Sequence, residues 1–338
     1  MRSVHGLTRF ATVALAAALV ATCAQSAGAG ANARAPGQPR AGHVLLGVVG
    51  PEPAAFDRLT RHVHKLHLVF VNGGGSALAE TLEADRAEGR ITIVTLNGQS
   101  SPAAFARGDL DGLLIATSEA VNAVGTPVWI RPVPEMNGHW SEWAAFDGSG
   151  RPRGAMFSTA QFRQAFRRIA LIMRGGPTGA INRRLRALDM PPLRIVATTG
   201  LAASGKVAML WNPQGQGSPD VPGNQPRDFW PGPEYVDYVG NDLYEIRGKA
   251  YWPGMDALYD AFRKPFVVGE WAPWGYDSPA FVRQMFAWVA AHPRTVGLVY
   301  FNKGWSGGTG IFELRSKPRA LAAYRRAIRD ARFLDRSP

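Results

Sequence analysis

The sequence predicts a single-domain α/β protein, a (β/α)8 TIM barrel, and three observations support this. Short apolar runs rich in β-branched residues recur eight times along the chain. Amphipathic segments with helical spacing lie between many of them, for example at 159–173 and 279–292. The runs are apolar throughout rather than alternating, which indicates strands buried on both faces, as in parallel sheets. Eight strand–helix units within residues 42–338 match the size of such a barrel.

The eight predicted strands lie at 43–49, 66–72, 91–97, 127–133, 194–200, 236–244, 265–270 and 296–302. The alternative is a doubly wound open sheet, which usually has a glycine-rich turn after its first strand. "VVGPEPAAF" (48–56) is not such a turn. The longest irregular stretch, 211–234, is rich in Pro, Gly and Asn and is predicted to be a loop. Its Trp211 and Trp230 either stack on a ligand or fix the loop to the barrel.

Residues 1–41 have the features of a signal peptide followed by a flexible Ala/Gly linker. Arg2 and Arg9 precede an apolar run at 11–22, and small residues suited to cleavage follow at 24–33. The apolar run is too short for an ordinary membrane span. We therefore expect a secreted protein whose globular domain is 42–338.

The single cysteine, Cys23, lies at the end of the apolar run. "LVATC" resembles a lipoprotein cleavage site, although threonine precedes the cysteine where a smaller residue is usual. Lipid anchoring through Cys23 is therefore the alternative to free secretion. A chain with one cysteine forms no internal disulfide, and thiolate catalysis and cysteine metal sites are not expected.

The formal net charge is +12 and the isoelectric point is about 10.3. Most of the excess is arginine spread along polar helix faces such as "FRQAFRRIA" (162–170), without a compact basic run interleaved with aromatic residues. A nucleic-acid partner is therefore not expected. A solvated basic surface on a monomer is the preferred interpretation.

Two glutamates stand where a barrel of this kind places its chemistry, at the C-terminal ends of strands. Glu135 follows the fourth predicted strand by two residues, and Glu270 closes the seventh. Facing carboxyl groups suit glycoside hydrolysis, in which one protonates the leaving oxygen and the other attacks the sugar or activates water. For either glutamate alone, the alternative is an ion pair with a neighbouring arginine.

Aromatic and polar residues accompany these strand ends. Indole rings stack on the apolar faces of sugar rings, and the candidates for this contact are Trp140, Trp143, Trp271, Trp274 and Trp305. Tyr244 is placed to hydrogen-bond the nucleophile, and Asn137 to bind a sugar hydroxyl. Arg131 either stabilises a nearby carboxylate at the substrate site or forms a structural ion pair inside the barrel.

These blocks together resemble glycoside hydrolase family 26. "RPVPEMNGHWSEW" (131–143) is similar to the family's acid/base motif, R-P-x-H-E-M-N-G followed by W. "WPGPEYVDYVGNDLY" (230–244) is similar to its W/Y-P-G-x-x-Y-V-D-x-V-G-x-D-x-Y segment. "KPFVVGEWA" (264–272) resembles its nucleophile strand and "VYFNKGW" (299–305) the end of its eighth strand. The resemblance extends over about residues 42–325.

The resemblance implies a retaining enzyme on a (β/α)8 barrel. Most family members are endo-β-1,4-mannanases, and others cleave mixed-linkage β-glucan or β-1,3-xylan. It makes Glu135 the acid/base and Glu270 the nucleophile, with Tyr244 as the nucleophile's hydrogen-bond partner. Trp140 and Trp305 become sugar-contacting aromatics.

One position departs from the motif. The histidine that usually precedes the acid/base glutamate is Pro134 here, and proline has no side-chain donor for a sugar hydroxyl. Mannan is therefore open to question as the substrate, and an exopolysaccharide is a further alternative to the glucan and xylan. His139 either supplies a substitute imidazole or is an ordinary loop residue.

Two other classes of protein remain as alternatives. One is a catalytically inactive carbohydrate-binding protein on the same fold, although both carboxylates are retained. The other is a metal-dependent hydrolase based on His62, His64 and His67, which lie away from the strand ends. Neither a metal nor a cofactor is expected. "GGG" at 73–75 is interpreted as a tight turn, because no Lys-Ser/Thr pair follows it.

Overall fold

The computed structural model describes residues 34–72, 75–194, 200–303 and 311–333. Eight parallel strands close into a barrel, in chain order, with the last pairing with the first. They are β1 (Leu45–Val49), β2 (Leu66–Val71), β3 (Ile91–Leu96), β4 (Val128–Pro132), β5 (Val207–Trp211), β6 (Tyr238–Glu245), β7 (Phe266–Pro273) and β8 (Thr295–Phe301). The predicted (β/α)8 barrel is confirmed.

Helices lie between the strands and begin where local chemistry favours it. Ser101, Ser158 and Ser278 each accept a hydrogen bond from a backbone N–H of the first turn that follows. In order, the helices are α1 (Pro53–Thr60), α2 (Ser76–Ala87), α3 (Pro102–Arg107), α4 (Asp111–Ala123), α5 (Thr159–Arg174), α6 (Thr178–Arg186), α7 (Trp252–Ala261), α8 (Pro279–Ala291) and α9 (Pro318–Ala327).

Helix α5 shows how the core is built, and it corrects one expectation. Phe162, Phe166, Ile169 and Met173 recur at helical spacing and are fully buried. Arg168, expected on a solvated basic face, is also fully buried and lies 2.6 Å from Asp111. The charge is kept inside because the carboxylate and nearby backbone carbonyls satisfy the guanidinium.

The fifth strand was predicted at the wrong place. The barrel strand is β5, at 207–211, and its Val207, Ala208 and Met209 are in register with β4. Of the predicted run 194–200, residues 195–199 lie outside the described part of the chain. Gly200 and Leu201 pair antiparallel with Gly176 and Pro177, away from the barrel. Both runs are short and apolar, so only pairing with β4 distinguishes them.

The segment 35–41 packs against the barrel and is not the free linker that its composition suggested. The compact unit begins at Ala35. The carbonyl oxygen of Pro36 accepts hydrogen bonds from Trp129 Nε1 at 2.9 Å and Tyr238 Oη at 2.8 Å. Both donors lie on the early parts of their strands, so this segment covers the end of the barrel opposite the glutamates. Within the described ranges, no helix is long and apolar enough to cross a membrane.

Candidate active site

The C-terminal ends of β4, β6 and β7 bring the candidate residues to one cavity. Glu135, Asp242, Tyr244 and Glu270 all line it, and its volume is about 1150 Å³. The register between β6 and β7 shifts at Asn241/Asp242, so that Asp242 lies directly beside Glu270 on the neighbouring strand. Two glutamates 135 positions apart in the sequence therefore share one space at the mouth of the barrel.

Glu270 is held by two donors. Arg131 Nη1 lies 2.7 Å from Glu270 Oε1, and Tyr244 Oη donates to Oε2 at 2.6 Å. Hydrogen bonds to both oxygens stabilise the ionised carboxylate. Burial, together with the charges of Glu270 and Asp242, raises the pKa of Tyr244 well above its usual value, so the phenol remains a donor. Tyr244 thus makes the contact that the family resemblance implies.

Glu135 lies in a different environment. Its backbone has φ of +56°, and its amide donates to the carbonyl of Asn212 at 2.7 Å. Trp140 Nε1 donates to one carboxylate oxygen and Gln214 Nε2 to the other. Burial, and then the nearby charge of Glu270, raise the pKa of Glu135 above its ordinary value, against the opposing effect of Trp140. Glu270 therefore accepts hydrogen bonds from Arg131 and Tyr244, while Glu135 is biased toward its protonated form.

Asp242 is a member of this cluster that the sequence did not single out as functional. It is fully buried, and it pairs with the second amino group of Arg131. Burial raises the pKa of Asp242 well above its usual value, against the effect of Arg131. The neighbouring carboxyl groups of Glu270 and Glu135 raise the pKa of Asp242 further. The sequence did offer a signal for Asp242, because it lies in "VGNDLY" (239–244), part of the segment that is similar to the family motif.

Arg131 and Asn137, two candidate substrate-binding residues, do not line the cavity. Both are fully buried. Arg131 acts instead as the shared counter-ion of Asp242 and Glu270. The Asn137 side chain accepts from the backbone amide of Gln214 at 2.8 Å and donates to the carbonyl of Gln214 at 2.9 Å. These short-range polar contacts fix the side chains that touch the cavity.

The tryptophan predictions divide according to burial. Trp140 is 54% exposed and lines the cavity, as a sugar-contacting ring must. Trp143 and Trp271, also candidates for sugar contact, are fully buried and do not line the cavity. Trp143 donates to backbone carbonyls after β3, and Trp271 stacks within the core against Tyr324. Trp305 lies outside the described residues.

Other aromatic residues line the cavity without an advance signal in the sequence. They include Phe70 near the end of β2 and Tyr251 and Trp252 at the start of α7. Trp274, a candidate from the sequence, also lines the cavity. Trp211 and Trp230 pack edge-to-face with ring centroids 4.9 Å apart. Trp211 is fully buried, so its role is to fix the loop.

The histidines are occupied elsewhere. His64 is buried between Asp57, at 2.7 Å, and the hydroxyl of Tyr324, at 2.9 Å. His67 contacts Asp85 and the carbonyl of Gly50, both at 2.9 Å. Among the described residues, no cluster of three His, Cys, Asp or Glu side chains could hold a metal ion. His139 is exposed, contacts Ser218, and does not line the cavity.

This arrangement defines a class of protein: a (β/α)8 barrel with a polarised pair of glutamates at its mouth, which is the equipment of a glycosidase. No family model matches the chain. The solved structures that it resembles include a family 26 β-mannanase from Bacteroides ovatus, with TM-score 0.56 and 14% identity over 86% of this chain and 90% of that one. The Bacillus subtilis mannanase BCman gives TM-score 0.52 and 17% identity, covering 84% and 85%.

Two curated proteins are similar in sequence. The mannan endo-1,4-beta-mannosidase of Bacillus subtilis is 26% identical over 186 residues, which is 54% of this chain and 41% of that protein. Endoglucanase H of Acetivibrio thermocellus is 23% identical over 235 residues, 65% of this chain and 22% of that protein. The chain thus matches less than half of either relative's length. The resemblance to glycoside hydrolase family 26 is confirmed, and the solved structures share the fold.

Proposed function

We propose that this protein is a secreted, retaining glycoside hydrolase that cleaves a β-linked polysaccharide, in the manner of an endo-β-1,4-mannanase. The observation that carries this proposal is the unequal treatment of two glutamates in one cavity. Arg131 and Tyr244 stabilise a charge on Glu270, while burial and that same charge favour a proton on Glu135. A nucleophile and a general acid need these two opposite states.

The proposed reaction has two steps. Glu270 attacks the anomeric carbon while Glu135 transfers its proton to the departing oxygen, which breaks the glycosidic bond and forms a glycosyl ester. Water then attacks the anomeric carbon of this ester, Glu135 takes the proton from the water, and Glu270 leaves as a carboxylate. Formation of the ester removes the charge of Glu270, so the pKa of Glu135 falls when it must act as a base.

The substrate is the finer part of the proposal. The relatives named mannanases favour β-mannan, and the exposed ring of Trp140 is available to stack on a sugar. Pro134 lines the cavity at the position where the family motif has histidine. The purified protein should therefore be screened on β-mannan, mixed-linkage β-glucan, β-1,3-xylan and bacterial exopolysaccharides. The size of the products should be measured for each polymer.

The decisive test replaces the nucleophile. We expect Glu270→Ala to lower turnover by orders of magnitude while the far-UV circular dichroism spectrum stays native. Proton NMR of the wild-type reaction should show the β-anomer as the first product from a β-linked substrate. The matched control is Glu313→Ala, a glutamate that does not line the cavity, which should leave turnover unchanged. Near-full activity of Glu270→Ala, or an α-anomer as first product, would end the proposal.

The second candidate, an inactive carbohydrate-binding protein, predicts different results. It would bind polysaccharide in affinity electrophoresis, and it would release no reducing ends from any polymer. The retention of Arg131, Tyr244 and Asp242 around Glu270 favours the hydrolase, because sugar binding alone does not need a buried, charge-balanced carboxylate cluster.

A further inference from the structure

A tight hairpin turn after β6 forms one edge of the cavity. Ile246 and Lys249 exchange two backbone hydrogen bonds, of 2.8 and 3.0 Å, across the turn. Arg247 has φ of +50° and Gly248 has φ of +79°, the two positive values that a type I′ turn requires. Asn, Asp or Gly normally occupies the first position, because a longer side chain is strained in left-handed backbone.

The surroundings hold this strained arginine in place. The hydroxyl of Tyr276 accepts from the amide of Gly248 and donates to the carbonyl of Glu245 at 3.2 Å. The amide of Trp274 donates to the same carbonyl at 3.0 Å. Strain that neighbouring residues enforce is a reason to look for a function at the strained residue.

The turn presents two positive charges to two adjoining cavities. Lys249 lines the main cavity, and Arg247 lines a second cavity of about 520 Å³ together with Trp274 and Tyr276. Ile246 and Trp274 line both, so the second cavity continues from the first. Arg247 and Lys249 are exposed, and neither forms an ion pair within the described residues. Glu245, the acidic neighbour, is partly buried and lines the main cavity.

We infer that the turn Ile246–Lys249 recognises a carboxylate-bearing sugar unit, so that the polysaccharide substrate is acidic. The inference rests on the proposed function and names its substrate class. A guanidinium presents a planar fork that matches a carboxylate, and the ammonium of Lys249 adds a second donor. Trp274 and Tyr276 supply ring surface beside Arg247 for the sugar that carries the charge. The carboxylate of the substrate supplies the counter-ion that neither side chain has within the described residues.

The test compares one polymer in two forms. The polymer best cleaved in the screen is used as such and after partial oxidation of its primary hydroxyls to carboxylates. We expect the wild type to have the higher kcat/KM on the oxidised form. The ratio of the two kcat/KM values should fall about fivefold for Arg247→Gln and again for Lys249→Gln, the scale of an exposed ion pair. Added salt should lower the wild-type ratio.

Two controls separate recognition from general charge and from structure. Arg183→Gln/Arg184→Gln removes two exposed charges from α6, away from both cavities, and should keep the ratio. Arg247→Gly relieves the turn, so the unfolding temperature should rise while the ratio falls. An unchanged ratio in the turn variants, or a lower unfolding temperature of Arg247→Gly, would overturn the inference.

Binding distinguishes the two proposals from each other. In affinity electrophoresis with Glu270→Ala, the oxidised polymer should retard the protein more than the neutral one, and Arg247→Gln should remove the difference. Cleavage without charge preference contradicts the acidic substrate and leaves the hydrolase standing. Charge-selective binding without any cleavage contradicts the hydrolase and leaves the recognition of an acidic sugar standing.

Discussion

The environment of Glu135 suits a proton donor but lowers the stability of the folded protein. Burial and the charge of Glu270 raise the pKa of Glu135 in the folded protein above its ordinary value of 4.5. In the unfolded chain this group ionises freely once the pH exceeds that value. The folded state therefore holds a proton that the unfolded state releases, and its stability falls as the pH rises above about 4.5.

Glu135→Gln should consequently stabilise the protein, and the gain should be greater at pH 7 than at pH 4. Glutamine is uncharged at both pH values and has nearly the same shape. The measurement is the free energy of unfolding in urea at the two pH values. Glu80→Gln, at an exposed position of α2, should show no such pH-dependent gain. A gain that is independent of pH would mean that folding leaves the pKa of Glu135 unchanged.

Gln214 also contacts the carboxyl group of Glu135, and its effect on the pKa of that group is opposite to the effect of burial. Its amide donates to Glu135 and stabilises the ionised form, so Gln214→Leu should raise the pKa of Glu135. We expect the alkaline limb of the kcat/KM profile to move up by about one pH unit. Gln216→Leu is the matched control, since its amide contacts Asp220 and not the glutamate. Identical profiles for both variants would exclude this role of Gln214.

At the scale of elements, the loop after β5 is fastened to the loop after β4. Asn137 binds both backbone groups of Gln214, its carbonyl accepts from Asn224 at 3.0 Å, and Gly138 pairs with Ser218. This long Pro- and Gly-rich connection supplies Gln214 to the site. Its order therefore depends on polar contacts that are distant along the chain.

Asn137→Ala should cost about 1–3 kcal/mol of stability and also lower kcat/KM, because Gln214 loses its two fixed backbone contacts. Urea unfolding and steady-state kinetics measure the two effects. Asn182→Ala removes a comparable side-chain contact, with the amide of Leu193, far from the cavity. It should lower stability and leave kcat/KM unchanged. If the Asn137 variant behaves in the same way, the clamp is purely structural.

At the scale of the whole molecule, the segment 35–41 closes the end of the barrel opposite the cavity. A chain that starts at Gly42 would leave Trp129 Nε1 and Tyr238 Oη without the carbonyl of Pro36. We expect it to lose about 1–3 kcal/mol per donor relative to a chain that starts at Arg34. Thermal unfolding of the two chains measures this. Equal unfolding temperatures would show that the segment contributes nothing.

Much of the molecule could be predicted because each signal was local. Seven of the eight barrel strands overlap their predicted runs, since a strand buried on both faces must be apolar throughout. The remaining strand, β5 at 207–211, was missed because the run at 194–200 is also short and apolar. Glu135, Glu270 and Tyr244 were predicted because strand ends and family motifs point to them, and all three line one cavity. Asn137, Trp143 and Trp271 were given substrate roles because burial cannot be read from residue type.

The sequence by itself determined the barrel, the two glutamates and the order of the blocks around them, because these depend on strand spacing and residue type. Only the tertiary structure showed that Arg131 is a buried counter-ion and that Asp242 lies directly beside Glu270. It alone assembled Gln214 and the turn at Arg247 around the same cavity. The physical reason is that charge balance and desolvation depend on distances between residues far apart in the chain, and closure of the barrel fixes those distances.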